Sequence, residues 1–272
     1  MDICQAVENS IIKKYRRTIW RPFIKALQDY RLVLDGDRIA VCISGGKDSM
    51  LLAKCLQELK RYSQTDFQLT FITMDPGYSA DIRTAVEKNA ALLRVPIVFF
   101  QTDIFDAVAK AEENACYLCA RMRRGHLYKK ARELGCNKIA LAHHFDDVIE
   151  TTLLSMFYGG EIKTMMPKLH SKNFPGMELI RPLYLTRESS VIAWQRYHGL
   201  EFIKCACRQT QNLAPDGAAD SKRQEIKQIL NQLRRLNPVI EKNIFKSMEN
   251  VNSDAVLGYK RDHEKYYFLD NY

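Results

Sequence analysis

Several features are missing from this 272-residue chain, and each absence narrows what it can be. No uninterrupted apolar run approaches the ~20 residues of a membrane-spanning helix. Residues Met1-Asp2-Ile3-Cys4 lack the basic-then-apolar order of a secretory signal, so a cytoplasmic protein with no membrane partner is expected. There is no internal repeat and no low-complexity segment. The spacing of the common P-loop, four residues between a first glycine and a Gly-Lys pair, does not occur.

What is there suits one large domain, or a domain with a small appendage. Hydrophobic residues make up 46% of the chain, enough for a sizeable core. Lys and Arg outnumber Asp and Glu by 41 to 32, for a net charge of +9. That balance fits a polyanionic partner such as RNA, and equally a merely soluble basic enzyme. The eight cysteines are not expected to form structural disulfides in a cytosolic chain. Cys42, Cys55 and Cys136 lie among apolar residues and read as small core hydrophobes. Cys116, Cys119, Cys205 and Cys207 are paired at short spacing, which is a ligand pattern.

Residues 2–30 read as a helix or helix pair, with Val7, Ile11, Ile19, Phe23 and Leu27 near helical spacing. Lys13, Lys14, Arg16, Arg17, Arg21 and Lys25 fill much of the remainder. A solvated face is favoured for them over an arm touching nucleic acid. Strands then alternate with helices. Strands are expected at Arg38–Ile43, Phe67–Met74, Ile97–Gln101 and Lys138–Ala142. Helices are expected at Asp48–Tyr62, Ser79–Leu93, Arg121–Leu134 and Asp146–Tyr158. This alternation argues for an α/β fold, a parallel sheet with helices on both faces. Ligands in such folds bind beyond the carboxyl ends of the strands. Cys42-Ile43-Ser44, Met74-Asp75 and Ala142-His143-His144 all fall there. Residues 159–186, with Gly159-Gly160 and three prolines, read as loop with short pieces of structure. Arg187–His198, Lys222–Leu236 and Pro238–Glu249 read as helices, and Tyr259–Tyr272 has no assignment. The division expected is an N-terminal helical segment (1–34), a central domain (35–210) and a C-terminal helical extension (211–272).

The stretch Ser44-Gly45-Gly46-Lys47-Asp48-Ser49 sits where a buried strand turns into a helix. Two glycines let the backbone approach a ligand closely, and the helix N-terminus favours an anion. Ser44 and Ser49 can donate to phosphate oxygens, and Lys47 adds charge. These six residues match the signature of the PP-loop ATP pyrophosphatases, whose fold is the adenine nucleotide alpha hydrolase-like sheet. The resemblance implies that Ser44, Gly45, Gly46, Lys47, Asp48 and Ser49 hold ATP while its α-phosphate is attacked and pyrophosphate leaves.

The stretch from Cys116 to Gly160 adds Cys-x-x-Cys, Arg121-Met-Arg123-Arg124-Gly125, Lys138-Ile-Ala-Leu, His143-His144-Phe-Asp146-Asp147 and Met156-Phe-Tyr-Gly-Gly160. With Pro167-Lys168-Leu169 and Ile180-Arg181-Pro182-Leu183 it closely resembles the tRNA 2-thiocytidine synthetases, over most of residues 35–210. The residues alone allow other readings. Cys116 and Cys119 could join a structural zinc with four sulfurs, or remain reduced core thiols. Asp146 and Asp147 could simply cap a helix. Arg121, Arg123 and Arg124 could be solvated charges.

The resemblance implies a [4Fe-4S] cluster on three cysteines, Cys116, Cys119 and one of Cys205 or Cys207, with the free iron carrying sulfide. Many members have a second Cys-x-x-Cys where this chain has Cys205-Ala-Cys207, which leaves the third ligand open between the two. The resemblance further implies Mg²⁺ beside ATP and a catalytic or metal role for Asp147. Lys47 and Arg124 would stabilise developing charge. Met74, Asp75 and His143 would contact the nucleotide, and Arg121, Arg123 and Lys168 the RNA. In the implied reaction, O2 of a pyrimidine in tRNA, expected to be cytidine, attacks the α-phosphate. Sulfur then replaces the adenylated oxygen and AMP leaves. The partners implied are tRNA, a sulfur donor (a cysteine desulfurase or inorganic sulfide) and a second copy in a homodimer. The alternatives are a lysidine-synthetase-like ligase with a structural zinc and a non-catalytic RNA-binding module.

Overall fold

The structure is a computed structural model that describes residues 2–104, 115–203 and 218–271, leaving aside the side chains of 115–117, 119–120, 218–221 and 271. Two compact units are formed, Met1–Val148 with Met165–Ser221, and Ile149–Thr164 with Lys222–Tyr272.

The first unit is built on a six-stranded sheet. Its strands are β1 (Arg38–Cys42), β2 (Gln68–Asp75), β3 (Ile97–Gln101), β4 (Lys138–Ala140), β5 (Lys168–His170) and β6 (Glu178–Ile180), in the order β3-β2-β1-β4-β6-β5. All neighbours are parallel except the edge pair β5–β6. β1 is central, and Ile39, Ala40 and Val41 are fully buried, as a strand covered on both faces requires. Ala40 and Cys42 pack with Tyr128 and Ala131 of helix α5 (Ala115–Glu133). Alternation along the strand turns Ile39 and Val41 to the opposite face. Helix α3 (Lys47–Tyr62) also packs on β1, and Met50 to Ala53, Cys55 and Leu56 are all buried along it.

The order β2-β1-β4 sets side by side the three strand ends on which the polar clusters fall. The loop expected over 159–186 contains β5 and β6, three residues each, and β6 extends the parallel sheet beyond β4. α5 starts at Ala115, earlier than Arg121.

The N-terminal segment forms α1 (Ile3–Ile12), a π-helical turn (Arg16–Trp20) and α2 (Arg21–Asp29). Its apolar side is used up: Val7, Ile11, Ile19 and Phe23 are fully buried. Cys4 is buried where α1 meets α3. There Lys54 Nζ donates to Glu8 Oε1 (2.6 Å), Gln57 Oε1 (2.7 Å) and Leu93 O (2.9 Å), and lies 3.4 Å from Cys4 Sγ. A buried lysine is tolerable only with such partners. Cys42, Cys55 and Cys136 are free and buried, as expected of core thiols. Among the described residues this unit also holds α4 (Ala80–Leu92) and α7 (Glu188–Tyr197).

The second unit takes in most of α6 (Phe145–Gly159), α8 (Ala218–Leu236), α9 (Ile240–Ser247) and the hairpin β7 (Gly258–Arg261) and β8 (Glu264–Tyr267). Within it the buried Glu150 accepts from Arg223 Nε at 2.8 Å, and Tyr259 stacks on Tyr266 across the hairpin. No helix among the described residues is long and apolar enough to cross a membrane.

Candidate active site at the glycine turn

The turn between β1 and α3 is built by its own side chains. Ser49, buried at the first turn of α3, donates from Oγ to Gly46 O at 2.9 Å. It accepts from Ser44 N at 3.2 Å, and Ser44 Oγ lies 3.2 Å from Ser49 Oγ. Gly45 has φ +82°. A Cβ there would stand 2.6 Å from Val86 Cγ2 and 2.8 Å from Ile203 Cδ1, so glycine is required on two counts. No side chain caps the start of α3. Its first N–H groups form the positive end expected to receive an anion.

Lys47 Nζ lies 3.0 Å from Asp48 Oδ2 and 3.2 Å from Glu188 Oε1, at the start of α7. Burial works against the charged lysine, but the two carboxylates outweigh it and hold its pKa above the ordinary value. Asp48 Oδ1 is buried without a hydrogen-bond partner. Buried carboxylate oxygens are rarely left so, and this one fits a cation or a donor brought by a ligand. A cleft of about 460 Å³ adjoins Gly46, Lys47 and Asp48, with Glu188, Ile192, Gln195, Arg196, Phe202 and Ile203 as its other walls.

The end of β4 supplies the next group. His144 precedes α6, and Asp147 Oδ2 accepts from its backbone N at 2.9 Å while Asp147 N–H points at His144 Nδ1 at 3.4 Å. The two residues form a reciprocal cap. Nδ1 also lies 3.3 Å from Asp147 Oδ2, and Nε2 lies 3.9 Å from Asp48 Oδ1. His144 therefore stands between Asp48 and Asp147. Asp146 is turned elsewhere: it accepts from Glu188 N at 2.8 Å and pairs with Arg187 at 3.2 Å.

Arg181 donates to His143 Nδ1 at 3.3 Å and to Met166 O. Burial lowers its pKa to about 10, and the charge of Arg124 adds to that, while Asp147 acts the other way. Arg124, Arg181, His143 and Asp147 thus share one electrostatic neighbourhood beside the turn. Arg181 and Glu188 were not singled out by sequence reasoning. Arg181 lay within the stretch that matched the family; Glu188 had no local signal, since its partner is 141 residues away.

Other residues are placed differently. Asp75 Oδ1 accepts from Gly77 N (3.0 Å) and Tyr78 N (2.7 Å), closing the turn after β2, and Arg83 stands 3.6 Å from Oδ2. Met74 is buried with Ile104, against Phe100, Leu118, Met122 and Leu127. Arg121 is exposed and Arg123 half-buried on α5. Lys168 is not on that helix. It sits on β5, paired with Glu178 and donating to Arg31 O, each at 3.2 Å. Cys116 and Cys119 stand one turn apart at the start of α5, their side chains outside the described residues. Cys205 and Cys207 lie wholly outside them.

A strand, a bonded glycine turn with an uncapped helix start, and a parallel sheet in this order define a PP-loop nucleotide-binding protein. The family model for the PP-loop domain matches residues 16–214. A tRNA-cytidine(32) 2-sulfurtransferase of Geobacter sulfurreducens is 33% identical over 92% of this chain and 95% of its own length. Its namesake in Vibrio vulnificus is 38% identical over 88% of this chain and 75% of its own. The chain belongs to this PP-loop family of tRNA-cytidine(32) 2-sulfurtransferases. A U34-tRNA thiolase, NcsA, solved from Methanococcus maripaludis with its [4Fe-4S] cluster, shares the fold, with a TM-score of 0.64, 20% identity, and coverage of 87% of this chain and 80% of that one.

Proposed function

We propose that this chain is an ATP-dependent tRNA sulfurtransferase. It adenylates the C2 oxygen of a cytidine in tRNA and replaces that oxygen with sulfur; position 32 is the site named for its relatives. The observation that carries the reading is the Gly45–Gly46 turn with the unbonded Asp48 Oδ1 beside it, in a chain of this family.

In this reading the N–H groups at the start of α3, Ser44, Ser49 and Lys47 grip the phosphates of ATP. They stabilise negative charge as the α-phosphate is attacked. Asp48, whose Oδ1 is unbonded, would hold Mg²⁺, which would neutralise the departing pyrophosphate, with Asp147 in a catalytic role on the other side of His144. Arg124 and Arg181 add positive charge near His143, where the base would enter. The thiolate donors Cys116, Cys119 and one of Cys205 or Cys207 suit a [4Fe-4S] cluster, which when bound would supply the sulfur. Met74 and Asp75 belong to the nucleoside side, and Arg121, Arg123 and Lys168 to RNA. The sulfur donor is a cysteine desulfurase or inorganic sulfide, the assembly a homodimer, and the place of action the cytoplasm.

The test is incubation of oxygen-free protein with ATP, Mg²⁺, sulfide and a tRNA transcript, followed by nuclease digestion and mass spectrometry. Thiolated cytidine with AMP and pyrophosphate is expected. Pyrophosphate release that depends on lysine, with no thionucleoside, would move the chain to the lysidine-synthetase-like class. No nucleotide turnover at all would leave only an RNA-binding module.

A further inference from the structure

From Asn9 to Gln28 the sequence contains no Asp or Glu, yet it carries Lys13, Lys14, Arg16, Arg17, Arg21 and Lys25. All six are exposed. Lys25 is paired with Asp29 at 2.6 Å. Among the described residues, none of the other five pairs with a carboxylate. The apolar side of the segment is buried, so these cations form its outward side. Alone, that is a solvated face.

Two further observations give it a ligand. First, the cations border a cleft of about 560 Å³ between α1 and the end of α7, with Ser10, Lys13, Lys14, Tyr197 and His198 in its wall. Lys14 Nζ lies 3.3 Å from the centre of the Tyr197 ring, and Tyr197 is 57% exposed. Ser10 Oγ donates to Val7 O at 2.8 Å, so at 2.7 Å it accepts from His198 Nε2, and the cleft floor is fixed. Second, α7 begins at Glu188, whose carboxylate meets Lys47 of the glycine turn, and ends at Tyr197 in the cleft. Ten helical residues span about 15 Å. The cleft is therefore one short helix away from the nucleotide turn.

We infer that this face binds the sugar–phosphate backbone of RNA, holding the substrate one helix length from the turn where its base reacts. The inference rests on the tRNA reading above. Five cations without carboxylates reward a polyanion through counterion release. Tyr197 beside them is exposed, and a Lys14 drawn from its ring onto a phosphate would leave that face to an unpaired base. An acidic protein would match the charge but gives no role to an aromatic ring in a cleft.

The test measures binding of a tRNA transcript by the full chain across a series of salt concentrations. The triple variant Lys13→Gln, Arg16→Gln, Arg17→Gln should lower the slope of log K against log salt by roughly two to three, at about 0.7–0.9 per lost phosphate contact. Tyr197→Ala should weaken binding roughly fivefold or more with little change in slope. Lys60→Gln, which removes a cation already paired with Asp66 at 2.9 Å, should leave the slope unchanged. All of these positions are exposed, and thermal melting checks that each variant is folded. A triple variant with the wild-type slope and affinity overturns this inference, returns the face to a solvated surface, and leaves the sulfurtransferase reading standing. A wild-type chain that does not bind tRNA overturns both.

Discussion

Lys47 and Glu188 are 141 residues apart in the chain, and their side chains meet at 3.2 Å at the mouth of the glycine turn. Both side chains are partly exposed, so the pair contributes at most about 1 kcal/mol. Its consequence is competition. The ammonium is held by two carboxylates, and in the proposed reading the phosphates of ATP must displace them. Glu188→Gln is expected to tighten ATP binding by up to about fivefold, read by calorimetry. Lys47→Met is expected to slow adenylation by roughly 100-fold or more. An unchanged ATP affinity in Glu188→Gln would mean that the carboxylate does not compete.

Gly45 offers a sharper test of the turn. Its φ of +82° costs an alanine about 1–2 kcal/mol, and the Cβ would also collide with Val86 and Ile203. At Gly135 φ is +71°, but the added Cβ meets only the Arg38 guanidinium, at 3.4 Å. Gly45→Ala should therefore lower denaturant stability clearly more than Gly135→Ala and abolish ATP binding, while Gly135→Ala keeps it. Equal losses at the two positions would contradict the packing argument.

Asp147 is both a cap and a proposed reaction residue, and the two roles separate by substitution. Asn keeps an oxygen to accept from His144 N, whereas Ala removes it at a cost of about 1 kcal/mol. Asp147→Asn is expected to unfold near the wild-type midpoint yet to form AMP roughly 100-fold more slowly, because charge beside the phosphates is gone. A full reaction rate in Asp147→Asn would reduce the residue to a cap.

Much of this was legible in the sequence because the signals were local. Strand Ile97–Gln101 is observed with the expected bounds. The crevice followed from three polar strand ends, and the order β2-β1-β4 sets those ends together. Long-range partners were not legible. β5 and β6 are three residues each in a Gly- and Pro-rich stretch, and their pairing depends on β4 and on each other. Nothing near Asp75 announces that its carboxylate closes its own turn, and nothing near Lys47 points to Glu188. Cys4 and Lys54 gain meaning only when α1 lies against α3.

That packing carries an expected pH dependence. Burial disfavours the charged form of Glu8, but Lys54 and then Arg61 outweigh it and hold its pKa below the ordinary 4.5. A depressed folded pKa contributes stability above the unfolded value, and that contribution is lost as pH falls through the folded one. Glu58 works oppositely: burial first, with Glu8 adding to it, raises its pKa, so its protonation relieves a cost. Comparison with Glu8→Gln isolates Glu8. At about pH 7 the wild type should be more stable by about 1.5–3 kcal/mol, as for a hydrogen bond to a charged group. That advantage should shrink as pH falls below about 4.5 and vanish once pH passes below the depressed folded value, in urea titrations. An advantage that persists at acid pH would refute the linkage.

The cysteines decide the chemistry of the sulfur step. Protein purified without oxygen is expected to carry about four irons and four acid-labile sulfides per chain. Cys116→Ala and Cys119→Ala should each lose them. Cys205 and Cys207 are separated by a single residue, and three thiolates are needed to leave one iron open, so only one of Cys205→Ala and Cys207→Ala should lose the cluster. The other variant should keep its iron. Loss of iron in both would indicate four thiolates, a closed cluster and no open iron to receive sulfur. One zinc per chain and no sulfide would leave the glycine turn with its adenylating role and remove the cluster from the reaction.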